Sequence, residues 1–384
     1  MNSADRPLIV GAGPVGLGAA LFLAMQGRAP RVIEMRDTPS PHSRALAVNP
    51  RTLELLESSG VAQRILALGK PIHGAHFHRK GRVIAALSFA GIHPKYPFLI
   101  ALSQASMERL LSEALEAAGG VIERGMRMVE CRNVRDGVEV VVEATNGGAR
   151  DIVRCPWLLS AEGARSMARQ QLGIDFPGTS FAREWHLADA PLRAAPDDDR
   201  AHVFFSDGGE FQFMVRVVDD AASDQAKSPL WRVLGNRPEP LKRMIQAEQD
   251  GPPVWESSFR VSHRINTTLT DGAIHFAGDA AHIHSPVGAR GMNLGLEDAW
   301  VFAQLVKSGR LQEYDGLRRA VDRQVVRRVE LVSRMASGES RFFRFVRTFV
   351  LPWSIRLPFV RARMIATLTG LDHDLPADIA GGGE

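Results

Sequence analysis

The sequence predicts an α/β fold. An open, mostly parallel sheet is assembled from discontinuous stretches of chain and joined to a second domain dominated by antiparallel sheet and to a helical C-terminal tail. Three observations carry this. The first 35 residues read strand, glycine turn, helix, strand. A second strand, glycine turn and helix recur from Ala273 to Leu305. Between them lie stretches of apolar and polar alternation broken by hairpin signals.

In chain order, Pro7 to Val10 is a short apolar strand, Gly11 to Gly16 a turn, and Leu17 to Gln26 an Ala- and Leu-rich buried helix. Arg31 to Glu34 is the second strand. Asn49 to Leu68 reads as one helix punctuated by Gly60, and Ser106 to Ala118 as another with Ser106 as its N-cap. His73 to Leu102 is short and strand-like. Val121 to Leu159 alternates around Asp136-Gly137 and Asn146-Gly147-Gly148, which predicts a three-stranded antiparallel meander. Phe181 to Arg264 is a further β-rich stretch interrupted by a polar linker, Asp219 to Ser228. Met292 to Leu305 is helical, as is most of the Arg-rich remainder, which frays at Gly381-Gly382-Gly383.

Composition narrows the function classes. With 45% apolar and 23% charged residues, the 384-residue chain is neither disordered nor fibrous. Two cysteines, Cys131 and Cys155, cannot build a disulfide framework and are read as buried thiols in a reducing compartment. With no secretory leader and no bilayer-length apolar run in view, the expected location is cytoplasmic. The net charge is +4, yet Arg310 to Arg363 alone carries 13 Arg against 5 acids. No nucleic-acid-binding module accompanies that excess, so it is read as a solvated helical face. Arg alternates with Phe342, Phe343, Phe345, Phe349, Trp353 and Phe359 in the tail, which is expected to pack on the body or on a second subunit rather than on a membrane. His73, His76 and His78 lie close together without a carboxylate or second His pair, and no metal site is read from them.

Gly11-Ala12-Gly13-Pro14-Val15-Gly16 follows a strand and opens a helix. The three glycines serve a tight turn, close approach of the backbone to a pyrophosphate, and helix–strand packing, while the helix N-terminus offers N–H groups to the phosphates. Glu34 ends the second strand with Met35 and Arg36 directly after it. A carboxylate there accepts ribose hydroxyls and repels a 2′-phosphate. These residues define a bound dinucleotide.

Gly278-Asp279-Ala280-Ala281-His282 and the run Pro286-Val287-Gly288-Ala289-Arg290-Gly291-Met292-Asn293-Leu294-Gly295 decide for FAD. An extended flavin uses a second glycine-rich site: Asp279 for the ribityl hydroxyls, and the N–H groups from Gly288 through Ala289, Gly291 and Met292 to Asn293 for the isoalloxazine edge. A third segment, Trp157 to Ser166, runs from strand into the turn Gly163-Ala164-Arg165-Ser166.

These three segments, in this order, resemble the group A flavoprotein monooxygenases, the family of p-hydroxybenzoate hydroxylase and the polyketide and phenol hydroxylases, over roughly residues 6–370. The resemblance implies a Rossmann-like FAD-binding domain built from residues 1–72, 99–180 and 265–340, a β-sheet substrate domain from 73–98 and 181–264, and a helical tail from 341–384. It implies bound FAD, transient NAD(P)H, and O2 carried as a C4a-hydroperoxyflavin to an aromatic or polyketide-like substrate. It assigns Arg44 to the flavin pyrophosphate and the NAD(P)H approach, Gln104 to FAD, and Pro286 to the reactive flavin face. His202, Phe204, Phe213 and Met214 are the candidate pocket floor, and their packing as ordinary sheet core is the competing reading. No catalytic base is assigned: the only tyrosines for a proton relay are Tyr96 and Tyr314.

Glu162 stands where the family usually has Asp, and Arg290 where it often has Gln, which places an added charge near the flavin. The thioredoxin-like domain of the phenol hydroxylases is not expected in this chain, and a homodimer is allowed. The alternatives are a flavin-dependent reductase of the geranylgeranyl-reductase type and a flavin-bound redox sensor without turnover. The Trp-x-Trp-x-Ile-Pro motif of the flavin halogenases does not occur.

Overall fold

A computed structural model describes residues 6–39, 46–148, 150–193, 195–206, 209–219, 228–244, 246–338 and 340–376. Arg44, most of the 219–228 linker and the C-terminal glycines lie outside the described residues.

The apolar N-terminal strand Leu8–Val10 is fully buried because it pairs in parallel on both sides, with Arg31–Glu34 and with Leu158–Ser160. The six-stranded sheet runs 270–271, 274–276, 158–160, 8–10, 31–34, 121–124, and only the edge pair 270–271/274–276 is antiparallel. Three helices bracket it: Pro14–Met25, Gln104–Ala117 and Gly291–Ser308. The first packs on both others, and Gly18 leaves room for Leu296. The mixed α/β architecture and the helical C-terminal region are as the sequence predicts.

Some element boundaries differ from expectation. The meander is confined to Met126–Val134, Gly137–Ala144 and Arg150–Cys155, while Val121–Arg124 and Leu158–Ser160 join the parallel sheet. Alternation marks a strand but not its partner. The stretch 49–68 breaks into Pro50–Leu55, a 3-10 turn Glu57–Ser59 and Val61–Leu68 around Gly60, whose φ of 73° ends one helix and starts the next. The N-cap of Gln104–Ala117 is Ser103, which accepts from the backbone N–H of Ser106 at 3.1 Å.

The second, nine-stranded sheet runs 282–283, 255–265, 178–193, 230–235, 211–216, 201–205, 74–79, 82–88, with 248–249 attached to 178–193. It is antiparallel except where Ala201–Phe205 lies parallel to Gly74–Arg79. Its two faces differ. Phe77, Trp185, Leu187, Phe205, Phe211 and Leu234 form one apolar wall, on which Phe213 and Val287 also pack. Ala190, Met214, Trp231 and Val233 form the core of the other, with Phe204 against it.

The long helix Tyr314–Ser337 is followed by Arg341–Phe345, a π-helical turn Val346–Val350, Leu351–Ser354 and Pro358–Thr369. Ile355 and Ile365 of this tail are buried against the Phe77 wall. Phe342, Phe345, Phe349, Trp353 and Phe359 remain exposed. No helix among the described residues is long and apolar enough to cross a membrane. Cys131 and Cys155 are buried free thiols, both pushed up to about 12 by burial.

Candidate cofactor and substrate site

Three loops from distant parts of the chain converge at the C-terminal ends of the parallel strands. In the first, Gly11 has φ 104°, and a β-carbon there would strike the carbonyl of Ala161 in the third segment. Pro14 and Val15 start the helix, and Gly16 leaves room for the Gly11 carbonyl. Gly13 is different: nothing lies within 4 Å of where its β-carbon would be. The turn is closed on its sheet side and open in front of Gly13, which is the space a pyrophosphate needs.

Glu34 sits at the end of its strand with both carboxylate oxygens engaged by backbone. Oε2 accepts from Ala12 N–H at 2.8 Å and Oε1 from Arg36 N–H at 3.0 Å. A carboxylate has about four acceptor sites, so two bonds leave room for ribose hydroxyls. Met35 and Arg36 are exposed beside it. Gln104 begins its helix and donates to Glu108 at 2.7 Å. Burial raises the pKa of Glu108, with Glu34 and Arg36 close enough to act on it, so Gln104 lies near the same end of the sheet.

Val15 packs directly against Gly278 and Gly295, which joins the first loop to the second. Asp279 is exposed in the 3-10 turn Gly278–Ala280. The turn Pro286 to Ala289 is closed by Ala289 N–H donating to Pro286 O at 3.0 Å, and Ala289 adopts φ 51°, uncommon for a residue with a side chain. Asn293 holds this turn. Its amide donates to Ala289 O at 2.6 Å and to Ala47 O at 2.8 Å, while its Oδ1 accepts from Asn49 N–H at 3.0 Å. Gly288, Gly291 and Met292 complete the loop and the first turn of Gly291–Ser308.

Beneath the loop lies a buried charge network. Asp298 accepts from Gly278 N–H at 3.1 Å, from Arg318 at 2.8 Å, and pairs with His282 at 2.7 Å. Burial opposes charge on His282, but Asp298 and Asp322 outweigh it and push its pKa up to about 9. The buried guanidinium of Arg290 turns toward the tail and lies 3.1 Å from Asp372, which also pairs with Arg328 at 2.6 Å. The added charge thus has a carboxylate of the chain beside it. Glu162 caps the short helix Met167–Gln171, accepting from Ser160 and Ser166 hydroxyls at 2.7 and 2.8 Å and from the N–H groups of Met167 and Ala168.

The four candidate floor residues are divided between the two faces of the sheet. His202 pairs with Met214 and Val203 with Phe213, so alternation sends His202, Phe204 and Met214 to one face and Phe213 to the other. Only Phe213 shares the wall on which Val287, next to Pro286, packs. Sequence reasoning missed Phe77, Phe205 and Val287 on this wall. Period-two alternation on 201–205 and 211–216 was the available signal, but not which phase faced inward. Neither tyrosine is placed as a relay. Tyr96 is buried and donates to Glu57 at 2.7 Å, and Tyr314 donates to the Phe276 carbonyl at 3.0 Å.

A parallel sheet with a glycine turn at a helix N-terminus, met by a second glycine loop, defines a dinucleotide-binding flavoprotein. The family described as FAD binding domain matches residues 6–329, and the chain belongs to it. FAD is its cofactor, and the open space at Gly13 together with the exposed Asp279 turn fits that group. Among curated proteins, the chain is similar to a 6-methylpretetramide 4-monooxygenase of Streptomyces rimosus, 34% identical over 81% of this chain and 58% of that protein. The chain spans about three fifths of the length of the curated relatives it matches. Among solved structures, an anhydrotetracycline hydroxylase from Streptomyces rimosus superposes with TM-score 0.76 at 25% identity, over 97% of this chain and 77% of that one. A p-nitrophenol 4-monooxygenase from Pseudomonas putida DLL-E4 shares the fold, with TM-score 0.83 at 22% identity, over 98% of this chain and 100% of that one.

Proposed function

We propose that this chain is an FAD-dependent, NAD(P)H-consuming monooxygenase that hydroxylates an aromatic or polyketide-like small molecule. The observation that carries the reading is the contact of the Pro286–Val287 turn with the aromatic wall of the nine-stranded sheet, which sets the end of the flavin-type loop against a surface suited to a planar apolar ring. The printed activities of the similar proteins support it. In this reading residues 1–72, 99–180 and 265–340 hold the cofactor, 73–98 and 181–264 contact the substrate, and 341–384 is a helical tail.

The N–H groups of Gly13, Val15 and Gly16 bind the pyrophosphate, Glu34 the adenosine ribose and Asp279 the ribityl chain. Gly288 to Asn293 hold the isoalloxazine edge, and Arg44 and Gln104 complete the cradle. Bound FAD supplies hydride acceptance from NAD(P)H and activation of O2. Pro286 and the Phe213 wall orient the substrate and exclude water. The balance is one substrate C–H, O2, NAD(P)H and a proton giving substrate C–OH, water and NAD(P)+. Buried free thiols at Cys131 and Cys155 suit the cytoplasm.

The test is purification with flavin spectroscopy, followed by a phenol and polyketide screen for stimulated NAD(P)H oxidation with product mass. The reading requires about one FAD per chain, as for a single fingerprint, and product heavier by one oxygen. Stimulated oxidation with a reduced, oxygen-free product would replace it with the reductase reading.

A further inference from the structure

We propose that His76, His78 and His202 form a binding site for a divalent transition metal of the zinc class, on the face of the nine-stranded sheet turned away from the Pro286–Val287 turn. The site is independent of the flavin reading.

His76 and His78 are alternate residues on Gly74–Arg79 and so project from one face. The parallel strand Ala201–Phe205 sets His202 directly beside His76. One ring nitrogen from each of the three lies within 4.8 Å of the others. His78 Nε2 donates to His202 Nδ1 at 3.0 Å, and moving that proton to the unpartnered His78 Nδ1 frees both nitrogens for an ion. Two nitrogens bound at 2.0–2.1 Å to one tetrahedral ion must stand about 3.3 Å apart, so this pair is already at nearly the required spacing.

The tautomer of His202 also fits. Its Nε2 lies 2.8 Å from the Asp197 carbonyl, which can only accept, so the proton is on Nε2 and Nδ1 presents a lone pair toward the cluster. A ligating histidine is usually held by such a bond from its other nitrogen. Packing fixes the rings: Phe204 stacks on His78 at 4.5 Å between centroids, and Trp231 flanks His202 at 6.3 Å. His78 and His202 are buried, whereas His76 is half-buried and leaves a route for the ion and a water as fourth ligand. The carboxylates of Asp197 and Asp199 act on His202 and favour a cation. Three nitrogens without a carboxylate or thiolate in the set select zinc, copper or nickel over magnesium or calcium.

The metal would clip together the one parallel pairing in the sheet, between segments more than a hundred residues apart. His73 takes no part, because its ring packs edge-on against Phe98 at 5.8 Å. It serves as the control.

The experiment uses the FAD-loaded chain, freed of metal by a chelator and titrated with Zn2+ by calorimetry. Co2+ serves as the spectroscopic probe, its visible bands reporting tetrahedral nitrogen ligation. The site predicts one Zn2+ per chain, a rise in Tm on binding, and tetrahedral Co2+ bands. His76→Gln and His202→Gln should each weaken binding by at least about tenfold, as loss of one of three ligands implies, and His73→Gln should leave it unchanged. Melting curves without metal establish that each variant is folded, and His76, the most exposed of the three, keeps the test usable if His202→Gln is not. No stoichiometric binding, or binding equal in His76→Gln and the parent, overturns the proposal. Equal loss in His73→Gln overturns the assignment of ligands.

Discussion

Val15 occupies the space that a side chain on Gly278 would need: a β-carbon there would stand 2.8 Å from Val15 Cγ2. The first turn of the N-terminal helix and the second glycine loop are thus fitted to each other through one missing methyl group. Gly278 also has φ 59°. Gly278→Ala should therefore cost about 1–3 kcal/mol from crowding and backbone strain, read as a lowered midpoint in chemical denaturation.

Gly13→Ala is the complementary test. Its β-carbon meets nothing within 4 Å in the folded chain, so Tm without cofactor should stay unchanged. FAD affinity should fall by roughly tenfold or more, because the methyl group enters the space assigned to the pyrophosphate. Unchanged FAD affinity in a flavin titration would place the phosphates elsewhere.

Glu34 has two tasks, since its carboxylate also holds the N–H groups of Ala12 and Arg36. Glu34→Ala should weaken FAD by one or more orders of magnitude, as loss of charge-assisted bonds worth roughly 1.5–3 kcal/mol each implies. It should also cost about 1 kcal/mol of stability without cofactor, because the glycine turn loses its tie to the strand. Glu34→Gln should fall between on both readouts. The apparent KM for NAD(P)H in FAD-saturated protein should move much less.

Asp372 is shared between Arg290 and Arg328. Asp372→Asn removes the carboxylate that pairs with the buried Arg290 and should cost about 3–5 kcal/mol. Arg290→Gln alone should cost less, because Asp372 keeps Arg328 and His373. Adding Arg290→Gln to Asp372→Asn should restore part of the loss. Denaturant midpoints of the three variants check the order.

His282 gives the pH dependence a sign. Asp298 and Asp322 hold its proton in the folded state up to about 9, against an ordinary value of 6.5, with Arg318 and Asp279 also near the network. The stabilisation is complete below pH 6.5 and is lost as pH rises through about 9. Over that window Tm should fall, by the equivalent of roughly 3 kcal/mol. His282→Gln should flatten the fall, and a profile as steep as the parent's would remove His282 as its cause.

What was legible in the sequence had a local code. The glycine turn from Gly11 to Gly16, the acidic strand end at Glu34 and the Gly278-Asp279 turn each lie within a few consecutive residues. What was hidden depends on strand partners. Phe204 and Phe213 sit in one hairpin and read alike, yet the pairing of Val203 with Phe213 puts them on opposite faces. His202 joins His76 and His78 only through a parallel pairing across more than a hundred residues. The partner of Arg290 is Asp372, on the far side of five α-helices in the chain, so the pairing has no local code.

The strand order bears on how the protein is made. Leu8–Val10 leaves the ribosome about 150 residues ahead of one of its two neighbours, Leu158–Ser160, which itself pairs with Ile274–Phe276. Gly74–Arg79 waits likewise for Ala201–Phe205. At the usual 5–20 residues per second, apolar strand edges therefore stay unpaired for roughly ten seconds or more during synthesis. Nascent chains halted before residue 276 should be avid clients of holding chaperones, and slower translation of the first half should lower the soluble yield.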